Sequence, residues 1–199
     1  MNSPIETHPL TPFLPKHSKV LMLGTFPPPN TRWSMPFFYP NFTNDMWRII
    51  GYLFFNNKLH FVNTPEKTYH LKEIIDFLNH TGIAIFDTAT KVIRLKDNAS
   101  DKFLEVVEPT DIKSLLDQLP ECEAIITTGE KATSVLQAYF EIETTPKIGE
   151  YASFQYKDRM IRLYRMPSSS RAYPLKLEKK ADAYKIVFEK YYNINPKIK

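Results

Sequence analysis

Cysteine is nearly missing from this chain, since Cys122 is the only one in 199 residues. A lone thiol excludes an internal disulfide framework and any zinc or iron–sulfur centre built from several cysteines. Cys122 is expected to be a buried thiol in a reducing cytoplasm. No apolar stretch approaches the length of a membrane span, so no association with a membrane is expected. Met1 to Leu10 holds Asn, Ser, Glu, Thr and His where a secretory leader would place a basic start and an apolar run, so none is expected there. Internal repeats and low-complexity linkers are lacking too.

What is present is globular in character. A hydrophobic share of 43% with 24% charged residues suffices for one good core. A single domain over residues 1–199 is expected, with its core at about 19–192 and the chain acting as a monomer. The net charge of +4 hides an asymmetry. From Lys157 to Lys199 there are 12 Lys or Arg against 4 Asp or Glu, a balance of +8 that leaves −4 for the preceding chain. Such a tail reads either as a basic face for a polyanion such as nucleic acid, or as a lysine-rich solvated helix.

The hydrophobic pattern alternates between two periods. Lys19-Val-Leu-Met-Leu-Gly-Thr25, Gly82-Ile-Ala-Ile-Phe-Asp87 and Glu123-Ala-Ile-Ile-Thr-Thr128 are continuous apolar runs, the pattern of strands buried on both faces. Between and after them come helical patterns at Thr43 to Phe55, Tyr69 to Asn79, Glu108 to Leu119, Gly129 to Phe140 and Leu175 to Tyr192. Tyr151 to Tyr156 and Met160 to Met166 are placed to form a hairpin around Lys157-Asp158. Alternation of this kind predicts an α/β fold, a three-layer α/β/α sandwich with a short, mostly parallel central sheet. Ligands in such folds sit beyond the carboxyl ends of the strands, which directs attention to Thr25 to Thr43, Asp87 to Asp101, Thr128 to Lys131 and Met166 to Tyr173.

Four features in those segments stand out. Leu23-Gly24-Thr25-Phe26-Pro27 follows the first strand, and by itself is a turn. Phe37-Phe38-Tyr39-Pro40-Asn41-Phe42-Thr43-Asn44-Asp45-Met46-Trp47 is an aromatic loop feeding a helix, for which Thr43 or Asn44 would be a natural cap. Asp87 ends the second strand and is followed by Asn98-Ala-Ser-Asp101, which alone reads as an Asx turn. Arg165-Met-Pro-Ser-Ser-Ser-Arg-Ala-Tyr-Pro174 is a hydroxyl-rich loop after the last strand.

In this order, each at a strand end, the four features resemble the uracil-DNA glycosylase superfamily over about Lys19 to Phe188. They are most similar to its hypoxanthine-DNA glycosylase and mismatch-specific uracil-DNA glycosylase branch. The resemblance implies a monofunctional DNA glycosylase of base-excision repair that flips a deaminated base, hypoxanthine or uracil, out of double-stranded DNA and hydrolyses its N-glycosidic bond. It assigns the principal catalytic role to Asn44 and the base pocket to Gly24, Thr25, Phe26, Pro27, Phe38, Tyr39 and Thr128. DNA contacts fall to Ser168, Ser169, Ser170, Arg171 and Tyr173, with Asp87 and Asp101 as titratable support and no metal or other cofactor. The chain departs from the family in the pocket. Thr25 and Phe26 stand where uracil-specific relatives carry an acidic or amide activator, Thr128 stands where many have an Asn that reads the base, and Arg171 or Tyr173 replaces the wedge Leu. Those departures keep two other readings open: a non-catalytic DNA-damage-binding module on the same fold, or an α/β hydrolase of free nucleosides.

Overall fold

The computed structural model describes residues 4–96, 100–192 and 194. The chain opens with β1 (Ile5–Thr7) and β2 (Val20–Gly24), then α1 (Met46–Phe55), a two-residue pair β3 (Val62–Asn63) and β4 (Thr68–Tyr69), and α2 (Leu71–Thr81). It continues with β5 (Ile83–Asp87), β6 (Ala89–Arg94), β7 (Leu104–Pro109), α3 (Ile112–Gln118), β8 (Ala124–Thr128) and α4 (Glu130–Phe140). The hairpin β9 (Tyr151–Tyr156) and β10 (Arg159–Met166) and the long α5 (Leu177–Tyr191) complete it.

The central sheet has the order β5-β2-β8-β10-β9. Its first four strands are parallel and β9 closes one edge antiparallel. The apolar runs explain the centre: every residue of β2, β5 and β8 is buried, as strands covered on both faces require. From β2 the chain steps outward to β5, then returns past β2 to β8. The strand order therefore reverses between β2 and β8, and Gly24, Asp87, Thr128 and Met166 end side by side there. A ligand site belongs at that reversal.

Helices flank the sheet in two groups. On α1, Met46, Ile49, Ile50 and Leu53 recur at helical spacing and are buried. Phe54 of α1 meets Phe77 of α2 at 4.9 Å and Phe188 of α5 at 5.3 Å between ring centroids, edge to face in both cases. Each such pair adds about 0.5–1.5 kcal/mol beyond the area it buries. In the other group, Tyr139 of α4 donates to the Asp111 carboxylate that caps α3, at 2.8 Å. Right-handed crossovers place the two groups on opposite faces, because the chain moves one way across the sheet with α1 and α2 and the other way with α3 and α4.

The structure departs from the sequence expectations in the segment after β5. Residues 87–101 are not simply a loop, since β6 pairs with β1 and β7 in a second, antiparallel sheet of order β1-β6-β7. The helix expected from Glu108 begins only at Ile112, because Glu108 and Pro109 belong to β7. Asp111, accepting from the Ser114 N–H at 3.1 Å, is its cap. No helix of the described residues is long and apolar enough to cross a membrane.

Candidate active site

A cleft of about 1050 Å³ opens at the carboxyl ends of the parallel strands. Every residue singled out from the sequence as a site candidate lines it. The β2 end contributes Gly24, Thr25, Phe26 and Pro27, and the loop before α1 contributes Phe38, Tyr39 and Asn44. Asp87, Asp101 and Thr128 form its polar floor, and Ser168, Ser169, Ser170, Arg171 and Tyr173 form its lip. Asn98 and Ala99, the start of the Asn-Ala-Ser-Asp turn, lie outside the described residues.

The floor is crowded at Gly24. A Cβ placed there would stand 2.3 Å from Asp87 Oδ1 and 3.8 Å from Thr128 Oγ1, so only glycine leaves the carboxylate where it is. Tyr39 sits in the left-handed region at φ 50 and brings its hydroxyl within 3.2 Å of Thr128 Oγ1. Burial, with Asp87 as the next cause, pushes the Tyr39 phenol far above its ordinary range and keeps it a neutral donor.

His8 is the functional candidate the sequence did not reveal. Its Nε2 lies 2.9 Å from Asp87 Oδ2, and its side chain is 3% exposed. The ring packs against Phe86 at 4.6 Å, Phe26 at 5.2 Å and Phe38 at 6.3 Å, so it backs the aromatic wall of the cleft as well as its carboxylate. Asp101 faces the same floor, where it accepts a hydrogen bond from Thr25 Oγ1 at 2.7 Å. Burial raises the Asp101 carboxyl to about 6, the Thr25 bond pulls it down, and the nearby Asp87 raises it further.

Asn44 has both a structural and an exposed face. Helix α1 starts at Met46 with Asp45 as its N-cap, and the Met46 N–H donates to Asn44 Oδ1 at 2.9 Å, so Asn44 holds the first N–H of the helix from the position before the cap rather than as the cap itself. That bond fixes the amide orientation and leaves Nδ2 as a donor without a partner among the described residues. The next residue, Asp45, ties the helix to the lip. Its carboxylate takes Arg171 Nε at 3.1 Å and Lys180 Nζ at 3.0 Å, and its N–H donates to the Ser169 carbonyl at 2.9 Å. Lys180 is wholly buried and donates also to the Ser170 carbonyl at 2.7 Å.

The positive charge at the cleft is not simply the basic tail. Within that tail, Lys157 pairs with Asp117, Arg159 donates to the Leu116 and Leu119 carbonyls at 2.8 and 2.7 Å, and Lys180 is spent on Asp45. The cationic side chains that line the cleft are Arg32, Lys102, Lys131 on α4, Arg165 on β10 and Arg171, of which only Arg165 and Arg171 belong to that tail. Among the described residues no cluster of three or more His, Cys, Asp or Glu could hold a metal ion.

By sequence, neither a protein-family model nor a curated protein matches the chain. By structure, it is similar to the solution NMR structure of a proposed uracil DNA glycosylase from Methanosarcina acetivorans. The TM-score is 0.61 at 19% identity, and the match covers 93% of this chain and 99% of that one. At that identity the likeness is one of fold.

Proposed function

We propose that the chain is a DNA glycosylase of the uracil-DNA glycosylase superfamily, on its hypoxanthine-DNA glycosylase and mismatch-specific side. Its reaction is the hydrolysis of the N-glycosidic bond of a flipped hypoxanthine or uracil in double-stranded DNA. The observation that carries this reading is a convergence in one cleft: aromatic walls, the Asn44 amide, a buried carboxyl and a hydroxyl-rich lip ringed by five cationic side chains. A pocket for free nucleosides would have no use for that cationic rim.

Base extrusion costs a few kcal/mol, which phosphate contacts at the rim and stacking on Phe26 and Phe38 offset. Stacking contributes about 1–3 kcal/mol per base and tolerates both ring sizes. In the chemical step a water oxygen bonds to the sugar C1′ and the C1′–N bond breaks, its electron pair leaving with the base. Asp101 takes the water proton, for which a carboxyl raised to about 6 is suited at neutral pH. Asn44 Nδ2 donates to the departing base, since its Oδ1 is already engaged by Met46. Oriented donors of this kind act on charge that develops only in the transition state.

The test is single-turnover base release from duplexes carrying uracil, hypoxanthine or xanthine opposite each partner base. Asn44→Ala is expected to slow release by roughly 100- to 1000-fold while lesion affinity changes far less. Because Asn44 Oδ1 also holds the first N–H of α1, about 0.5–1.5 kcal/mol of stability goes with that hydrogen bond, and a melting curve must accompany the rate. Failure of the unmodified protein to release base from any duplex, with lesion binding retained, would establish the non-catalytic damage-binding module, which the structural hydrogen bond from Met46 to Asn44 also fits.

A further inference from the structure

The glycosylase reading leaves open how the cleft distinguishes a deaminated base from its parent, and the floor around Gly24 bears on that question. Three polar atoms converge there. Asp87 Oδ1 and Thr128 Oγ1 both lie within 4 Å of the point a Gly24 Cβ would occupy, and Tyr39 Oη is 3.2 Å from Thr128 Oγ1. Of the two Asp87 oxygens, Oδ2 is held by His8 Nε2 at 2.9 Å, while Oδ1 has no hydrogen-bond partner among the described residues. His8 Nδ1 lies 3.1 Å from the Leu10 N–H and 2.9 Å from the Leu10 carbonyl. The first contact suits the neutral ring protonated on Nε2 and the second suits the imidazolium, and in either state Nε2 donates to Asp87. The carboxylate therefore presents one fixed acceptor to the cleft. Beside it, the two hydroxyls use one O–H between themselves and keep the other to donate.

Deamination changes the part of a base that such a floor would meet. In cytosine and adenine the ring nitrogen next to the amine is an acceptor. In uracil and hypoxanthine the same nitrogen carries hydrogen and its neighbour is a carbonyl. We propose that Asp87 is a specificity-determining residue that selects deaminated bases by accepting this new N–H, with the Tyr39–Thr128 hydroxyl pair donating to the adjacent carbonyl and His8 acting as the positioning residue that aims the carboxylate. This inference rests on the glycosylase reading. An undamaged cytosine or adenine would face the carboxylate with a lone pair, leaving both acceptors buried and unpaired. Sites built around a substrate N–H or O–H reject analogues without it far more strongly than apolar pockets reject a change of size. Guanine, which already carries an N–H at that position, is left to other contacts.

The experiment compares duplexes containing uracil with duplexes containing 3-methyluracil, and hypoxanthine with 1-methylhypoxanthine, so that only the N–H is replaced. The unmodified protein should release the N–H bases at least about 100-fold faster, the loss expected for a missing hydrogen bond to a charged group. Asp87→Ala should shrink that ratio below about 10-fold, because the acceptor is gone and the space is open. Asp87→Asn is the sharper variant. His8 Nε2–H would take the amide oxygen and turn the amide N–H₂ toward the cleft, so release of cytosine relative to uracil should rise by at least about 10-fold. His8→Phe keeps a ring against Phe26, Phe38 and Phe86 but leaves Asp87 Oδ2 unpaired, so it should lose part of the N–H preference, read in the fraction that a melting curve shows to be folded. Equal release of uracil and 3-methyluracil by the unmodified protein overturns the proposal without any variant, as does an unchanged cytosine-to-uracil ratio in a folded Asp87→Asn protein. Should no base be released at all, it is the glycosylase reading that fails. The N–H rule is then judged by duplex binding, where equal affinity for the uracil and 3-methyluracil duplexes overturns it as well.

Discussion

The floor and the lip of the cleft are held by opposite means. At the floor, Gly24, Asp87 and Thr128 end strands whose every residue is buried, so their positions follow from the register of the parallel sheet. At the lip, residues 168–171 belong to no strand or helix and are pinned by ions, with buried Lys180 and half-exposed Arg171 both on Asp45. Apolar burial fixes geometry without specifying charge, whereas an ion network fixes geometry only while all its members are present. Substitutions at the floor should therefore act on chemistry and selectivity, and those at the lip on stability and grip.

The largest expected effect is at the floor. Asp101→Asn should lower single-turnover release by about 100- to 10,000-fold, the range for a positioned acid–base group. It should also remove a rise in rate through the raised Asp101 value of about 6. Stability should move the other way. A carboxyl whose folded value lies near 6 against an ordinary 3.8 favours the folded state most below 3.8, and loses that contribution as pH climbs through 6. Thermal melts should thus find Asp101→Asn more stable than the unmodified protein at pH 8 and no better at pH 3.5. A flat wild-type pH profile between 5 and 7 would remove Asp101 from the proton path.

Next in size comes the lip. Lys180→Met leaves Asp45 buried beside only Arg171 and should cost about 3–5 kcal/mol in chemical unfolding. Pairing it with Asp45→Asn should recover much of that loss, and strictly additive losses would mean the two residues are not coupled through their ion pair. The smallest effect belongs to Arg171→Ala. Its Nε is on Asp45, so its remaining N–H groups are the ones free to meet a phosphate. The slope of log affinity for duplex DNA against log salt should become shallower by about one. An unchanged slope would assign Arg171 to holding the lip alone.

The same contrast explains what was legible in the sequence. Val20–Gly24, Ile83–Asp87 and Ala124–Thr128 are visible as strands because burial on both faces writes an unbroken apolar run. Three of the four site segments were legible because each follows such a run, and the hydroxyl-rich lip because it follows the second strand of an expected hairpin. The small sheet was not, since β6 reads Ala-Thr-Lys-Val-Ile-Arg with register shifts against β7, and β7 is largely exposed, so neither keeps a clean period of two. Hidden for the same reason was His8, whose partner lies 79 residues away and is reached only by the pairing of β1 with β6. Composition also overstated the tail as a DNA-binding face, because counting Lys157, Arg159 and Lys180 as positive says nothing of the groups that already neutralise or bind them.

The reach of His8 has a kinetic side. Closing a contact across 79 residues carries a larger entropic cost than the local pairings of the hairpin β9–β10, and its reward, one short edge strand of three residues, is small. Because that reward is so small beside the full burial of β2, β5 and β8, docking of β1 is expected to follow formation of the parallel sheet, even though Val20 and Ala124 pair across a longer stretch of chain. During refolding, the far-UV signal of the sheet and helices should return before the preference for N–H bases does, and simultaneous recovery would show that the N-terminal strand assembles with the core. On that expectation the floor of the cleft is in place before β1 brings His8 to Asp87.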